Sequence, residues 1–326
     1  MRLKLPWQRV KGVAKPEPSQ PSPSLSSVVN AQGEDQRGED SVRGTEILES
    51  SNVETEELGG LAKLPPFRPV AISLLRLFDR DDVRIEEIAT LVEADPVMAS
   101  ELLAVVNSPL FGFQQTVLSP SHAVTLLGVD RTKSLAATLA MRSLIQGGPR
   151  TPVVRRFWIH SIATATIAKH FASAFGAEPE LSFVAALLHD LGRSGLLAAH
   201  PEPYTRLALA AHENTAEILA AEQAAFGMTH CHAGELLAKT WSLPTPIRKV
   251  AGHHHEISSD RAEVALVQLC CRLADDFNYQ SIHRSDIQKP QESIAQYAPE
   301  RLHGYLIGEL RAVGGAIDSA IQTLDF

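Results

Sequence analysis

Side chains able to bind a divalent metal recur along the second half of this chain, and any fold it adopts has either to gather them or to leave them idle. Ten of its thirteen histidines lie between His160 and His255. They include His160, His189 followed directly by Asp190, His230, and the triplet His253, His254 and His255, with Asp275 on the next apolar stretch. Neutral imidazoles and carboxylates are the mixed donors that suit borderline divalent ions such as iron, manganese, zinc or nickel. The ligands of a zinc finger are paired locally in sequence, whereas these donors spread over about a hundred residues. Such a spread fits helices converging on one centre.

Hydrophobic periodicity supplies the helices. Amphipathic or apolar stretches predict helices over residues 83–92, from Pro96 to about residue 106, and over 131–144. One long helix is expected over 152–175, closed by Gly176, and a nearly all-apolar one over 181–191 with Gly192 as its C-terminal stop. Asp260 to Glu263 has the spacing of a capping box and opens a helix reaching about Phe277. No segment alternates convincingly like a strand, and no internal repeat is visible. The expected fold is all-α.

Composition sets the outer limits. Residues 1–60 are rich in Pro, Ser, Gly and acidic residues, with no aromatic between Trp7 and Phe67, so they read as a disordered tail or linker. Folded structure is expected from about Leu64-Pro65-Pro66. A formal charge of −8 argues against a general nucleic-acid binder, and no duplex binding is expected. No apolar run approaches the roughly 18 residues that span a bilayer, and residues 1–7 lack the apolar segment of a secretory signal. Cys231, Cys270 and Cys271 show no paired spacing, which fits reduced thiols in the cytoplasm. Cys270 and Cys271 read as small core residues.

Taken singly, each donor has an ordinary reading. His160 alone would be a satisfied core histidine, and an isolated His189-Asp190 pair would be a helix end turned to solvent. His232 points to a different helix face from His230 and reads as surface, and His253 reads as exposed. Asp275 fits the inward face of its helix better than Asp276. Arg193 has two readings, a fork for a substrate phosphate or a helix-end cation complementing the dipole.

In order, the lone His160, the His189-Asp190 pair and the later Asp275 resemble the HD superfamily of metal-dependent phosphohydrolases. From about Leu64 to Thr323 the chain is more closely similar to the HDOD family of bacterial signalling domains. The strings that carry this are Leu64-Pro-Pro-Phe67, Ala94-Asp-Pro96, Val106-Asn-Ser-Pro-Leu-Phe-Gly112 and Ala123-Val-Thr-Leu-Leu-Gly128. Phe157-Trp-Ile-His-Ser161, Phe226-Gly-Met-Thr-His230 and Trp241-Ser-Leu-Pro244 continue the series.

The resemblance implies an N-terminal helical bundle over about 61–150 packed on an HD-like half over about 151–326. HDOD domains are commonly degenerate at the metal positions and act as regulatory output modules. Here His160, His189, Asp190, His230, His254, His255 and Asp275 all match ligand positions of the related HD-GYP phosphodiesterases. The resemblance gives Asp190 the bridging role, with His160, His189 and Asp275 on one ion and His230, His254 and His255 on the other. The Gly-Tyr-Pro motif of HD-GYP proteins is absent after Glu256, and Arg193 replaces their usual Lys.

The expected function is a regulatory, protein-partner-binding module that keeps one or two divalent ions, iron or manganese favoured. A phosphorylated or nucleotide ligand is a further candidate. The alternative is a metal-dependent phosphohydrolase in which Asp190 and Arg193 take part in catalysis.

Overall fold

In a computed structural model of the chain, the described residues are 61, 67–108, 111–146, 151–256 and 261–324. The tail over 1–60, the Leu64-Pro65-Pro66 start and the cap residue Asp260 lie outside them. Proline opens helix after helix, because its fixed φ suits the first helical position, where the missing N–H is not needed. Among the described residues the helices are, in order, α1 Pro69–Arg76, α2 Ile85–Glu93, α3 Pro96–Val106, α4 Pro120–Leu127 and α5 Val129–Gln146. They continue with α6 Pro152–Phe171, α7 Pro179–Leu187, α8 Leu191–Ala199, α9 Pro201–Leu209, α10 Thr215–Phe226 and α11 His230–Thr240. The last four are α12 Thr245–His253, α13 Ala262–Asp276, α14 Pro290–Tyr297 and α15 His303–Leu324. No strand occurs among the described residues, only an isolated bridge between His212 and Arg284. The fold is all-α.

Helices α1 to α5 pack on one another, and α5 carries that group onto α7. At the centre α6 is covered by α7, α13 and α15, while α11 lies against α8 and α12. Thirteen of the twenty residues of α6 are buried, Trp158 and His160 among them. All the described residues belong to one compact unit, Glu56–Phe326.

Several local expectations shift by a turn. The long helix over 152–175 is α-helical only to Phe171 and finishes as a 3-10 turn, Ala172–Phe175, before Gly176 at φ 72°. The capping residue of α13 is Arg261, with no side-chain cap bond.

The larger correction concerns residues 181–191. This stretch is not one helix. α7 stops at Leu187, the chain turns through Leu188, His189 and Asp190, and α8 begins at Leu191. Gly192 therefore lies in the first turn of α8 and stops nothing. A Cβ there would land on the backbone of His230 and Gly234, so Gly192 is what lets α8 and α11 cross at backbone contact. Together α7 and α8 span Pro179–Ala199, the one described segment long and apolar enough to cross a membrane, and 83% of its apolar window is buried inside the protein.

Candidate metal centre

The break between α7 and α8 places His189 and Asp190 at the middle of the molecule. A helix end leaves carbonyls without intrahelical partners, and His189 uses one of them: its Nδ1 donates to the Ala186 carbonyl at 2.7 Å. The same device recurs. His254, at the end of α12, donates from Nδ1 to the Val250 carbonyl at 3.0 Å.

His160 points out of α6 toward the end of α13, where Asn278 adopts φ 70°. There Asn278 N donates to Asp275 O and Tyr279 N to Ala274 O, a Schellman closure that turns the Tyr279 carbonyl toward His160 Nδ1 at 2.7 Å. His230 opens α11, and both its backbone N–H and its Nδ1 donate to Glu222 Oε2, at 2.8 and 2.7 Å.

A carbonyl or carboxylate only accepts, so each of these four rings carries its proton on Nδ1 and leaves Nε2 deprotonated, with no partner in His189 and His254 and with a cysteine Sγ at 3.6 Å in His160 and His230. Fixing the tautomer in this way is how proteins orient histidine ligands. The bare nitrogens converge on Asp190. Its Oδ1 lies 3.4 Å from both His230 Nε2 and His254 Nε2. Its Oδ2 lies 3.7 Å from His189 Nε2 and 3.8 Å from His160 Nε2.

Ordinary core histidines would have both nitrogens satisfied. Here the Nε2 atoms of His189, His254 and His255, together with Asp190 Oδ1, are buried without any hydrogen-bond partner. Metal bonds of about 2.0–2.1 Å at a tetrahedral angle hold two such donors about 3.4 Å apart, so the Oδ1 side has the spacing an ion needs. Two donor groups result, Asp190 with His230, His254 and His255, and His160 with His189 and Cys271. The cluster suits a divalent metal.

Electrostatics point the same way. Burial pushes His189, His230 and His255 below the usual imidazole range, which keeps them in the neutral, ligating form. Burial alone would raise Asp190, but the Arg193 guanidinium outweighs it and holds the carboxylate well below its ordinary value.

Residues 64–257, more than half of the chain, match the HDOD domain. The chain belongs to the HDOD family. An uncharacterised protein of Treponema pallidum (strain Nichols) is 25% identical over 232 residues, covering 68% of this chain and 45% of that protein. This HDOD chain thus spans less than half the length of that relative. Among solved structures, an HDOD domain protein of unknown function from Geobacter sulfurreducens superposes with a TM-score of 0.67 at 24% identity, over 84% of this chain and 99% of that one. A candidate phosphohydrolase from Shewanella amazonensis SB2B gives 0.62 at 18% identity, over 82% and 97%. A candidate signal transduction protein from Marinobacter aquaeolei VT8 gives 0.62 at 19% identity, over 81% and 60%. At these identities the structural likeness carries the all-α fold.

Within the HDOD fold, two expected site residues sit apart from the bare nitrogens. Asp275 turns its Oδ2 to Arg284 Nη2 at 2.6 Å, and its Oδ1 is 3.4 Å from Nδ1 of His160, the opposite edge of the ring from Nε2. Arg193 is buried in the first turn of α8, so it faces the positive end of the helix dipole and does not complement it. Its Nε donates to Asp190 Oδ2 at 2.8 Å and its Nη1 to Glu222 Oε1 at 3.1 Å.

Glu222 also accepts from Tyr204 Oη at 2.7 Å, and His230 and Arg193 hold its carboxyl down at about 2 against the opposing effect of burial. His232 is exposed, and His253 is half-buried and pairs with Glu256 Oε1 at 2.6 Å. A pocket of about 300 Å³ reaches the cluster at His255 and is lined also by Cys231, Glu235 and Glu256.

Glu222, Tyr204, Arg284 and Cys271 were not legible as site residues. The first three lie 8 to 11 residues from the site residues they contact, on separate elements and with no motif to flag them. Cys271 had one available signal, since it precedes Asp275 by four residues and so shares its helix face.

Proposed function

We propose that this HDOD chain is a regulatory signalling module that holds a divalent metal at the His/Asp cluster and works by binding a protein partner. The observation that carries the reading is the engagement of Arg193. Beyond a metal, phosphoryl chemistry commonly uses a side-chain cation to orient the substrate, and Arg193 is committed to Asp190 and Glu222 inside the core. Among the described residues the pocket at His255 is lined by Glu235 and Glu256 and by no Lys or Arg. A phosphate would meet two carboxylates there.

On this reading His160, His189, Asp190, His230, His254 and His255 are the metal ligands, and Arg193 and Glu222 position them. Arg193 fixes the Asp190 carboxylate, and Glu222 fixes the His230 ring. A bound divalent ion would supply cross-links among α6, α7, α11 and α12. The partner surface falls to α1–α5, because exposed large apolar side chains concentrate there: Ile85, Val97, Phe113, Leu118 and Leu126. The free thiols of Cys231, Cys270 and Cys271 support a reducing, cytoplasmic location.

A second reading, hydrolysis of a phosphodiester, is favoured by the pocket at His255, which gives one ligand an open edge. Turnover of bis(p-nitrophenyl) phosphate and of cyclic dinucleotides by iron- or manganese-loaded protein separates the two. The module reading expects no turnover above that of Asp190→Ala. Turnover that Asp190→Ala abolishes would transfer the conclusion to a phosphohydrolase.

A further inference from the structure

We propose that Cys271 supplies a thiolate ligand to the His160/His189 half of the centre, in the place that the family resemblance gives to Asp275, so that this half selects a thiophilic divalent cation. The inference rests on the metal-binding reading above and goes beyond it in naming the ligand and the class of ion.

Asp275 is held away from this half by contacts on both of its oxygens. Oδ2 is paired with Arg284, whose other Nη donates to Thr215 Oγ1. That arginine is itself fixed by the bridge to His212, where Ser285 N donates to His212 O at 3.0 Å and His212 N to His283 O at 3.2 Å. Oδ1 faces His160 Nδ1, which already donates to Tyr279 O.

One helical turn earlier on α13, Cys271 faces the other edge of the same ring. Its Sγ is 3.6 Å from His160 Nε2. Bonds of about 2.1 Å to nitrogen and about 2.3 Å to sulfur at a tetrahedral angle place the two donors about 3.6 Å apart. The independent sign of a missing ligand is His189 Nε2, which is fully buried, has no partner and lies within 4.8 Å of the other two donors. Asp190 Oδ2 closes the group at 3.7 Å from His189 Nε2 and 3.8 Å from His160 Nε2.

Two imidazoles and a thiolate favour zinc, cobalt or iron over magnesium or calcium. The thiol proton leaves to solvent as the sulfur–metal bond forms, and no oxidation state changes. The centre is then asymmetric, with one nitrogen/oxygen half and one nitrogen/sulfur half joined through Asp190.

Chelator-stripped full-length protein loaded with cobalt(II) tests this by absorption spectroscopy alongside elemental analysis. A near-ultraviolet thiolate-to-cobalt charge-transfer band is expected in the parent protein, lost in Cys271→Ala and Cys271→Ser, and kept in Asp275→Asn and Cys231→Ser. The Cys231 control matters because its Sγ is 3.6 Å from His230 Nε2. Serine preserves the size of the side chain, so it decides the matter if the alanine variant folds poorly. Bound cobalt with no such band, or a band that survives in both Cys271 variants, overturns the inference and leaves the metal reading standing. Absence of bound cobalt in the parent protein overturns both.

Discussion

At the scale of single residues, the centre depends on groups that carry no motif. Asp190 is the hub, so Asp190→Ala is expected to abolish metal binding and to remove the metal-dependent part of the melting temperature together, since a ligand that binds only the folded state stabilises it. Elemental analysis and a thermal melt on the same sample check this. Glu222→Ala leaves Arg193 with Asp190 as its remaining carboxylate and strips Tyr204 and His230 of their acceptor, and breaking a buried pair in this way costs about 3–5 kcal/mol. Chemical denaturation measures it, and a loss under about 1 kcal/mol would mean that Asp190 alone neutralises Arg193.

Acid stability follows from the same groups. His189, His230 and His255 titrate lower in the folded protein than in the unfolded chain, so their contribution is full above about pH 6.5 and falls as the pH drops below it. Glu222 titrates at about 2 when folded against 4.5 as its ordinary value, so its contribution is lost between pH 4.5 and about pH 2. Metal-free protein should therefore melt at progressively lower temperature from pH 7 downward. A melting temperature that is level or rising between pH 7 and pH 5 would contradict neutral, buried imidazoles.

At the scale of elements, hydrophobic period and proline position made most helices legible, because both act within a few residues. Pro96 and Pro152 each stand at the first position of a helix, as expected. The break after Leu187 was not legible. The stretch 181–188 is apolar but for Ser182, so local pattern runs past Leu187, and the close crossing of α8 and α11 at Gly192 is a tertiary contact that it does not report. Gly192 sits at that crossing, and Gly192→Ala is expected to destabilise the protein by about 3 kcal/mol or to prevent folding, since backbone cannot give way as a side chain can. Gly176, at φ 72° with open space around its Cβ position, provides the contrast. Gly176→Ala carries only local backbone strain of about 1–2 kcal/mol. Equal effects of the two substitutions in a denaturation series would remove the helix-crossing role of Gly192.

The same difference explains what the sequence showed of the site. His160, His189, Asp190, His230, His254 and His255 stood out as residue types recurring in order, and each of them meets Asp190 or its neighbours in space. The identity of the groups holding them depended on the fold. Asp275 shares a helix face with Cys271, and the pairing of Asp275 with Arg284, on the segment that follows the helix, distinguishes which of the two faces the Nε2 edge of His160.

At the scale of the whole molecule, the all-α fold is built around a buried polar core. Six donors drawn from α6, the α7–α8 turn, the start of α11 and the end of α12 meet where an ordinary core would be apolar. Unpaired polar atoms in such a place are costly unless something satisfies them. A metal ion satisfies several at once, and its removal should loosen the junction of those helices. The most direct measurement is metal content by mass spectrometry on anaerobically purified protein, beside a His189→Ala/Asp190→Ala control, with melting curves before and after chelation. Stoichiometric divalent metal in the parent protein, its loss in the control and a lower melting temperature after chelation are the results expected. A folded parent protein with no stoichiometric metal, melting identically with and without chelator, would contradict the metal centre.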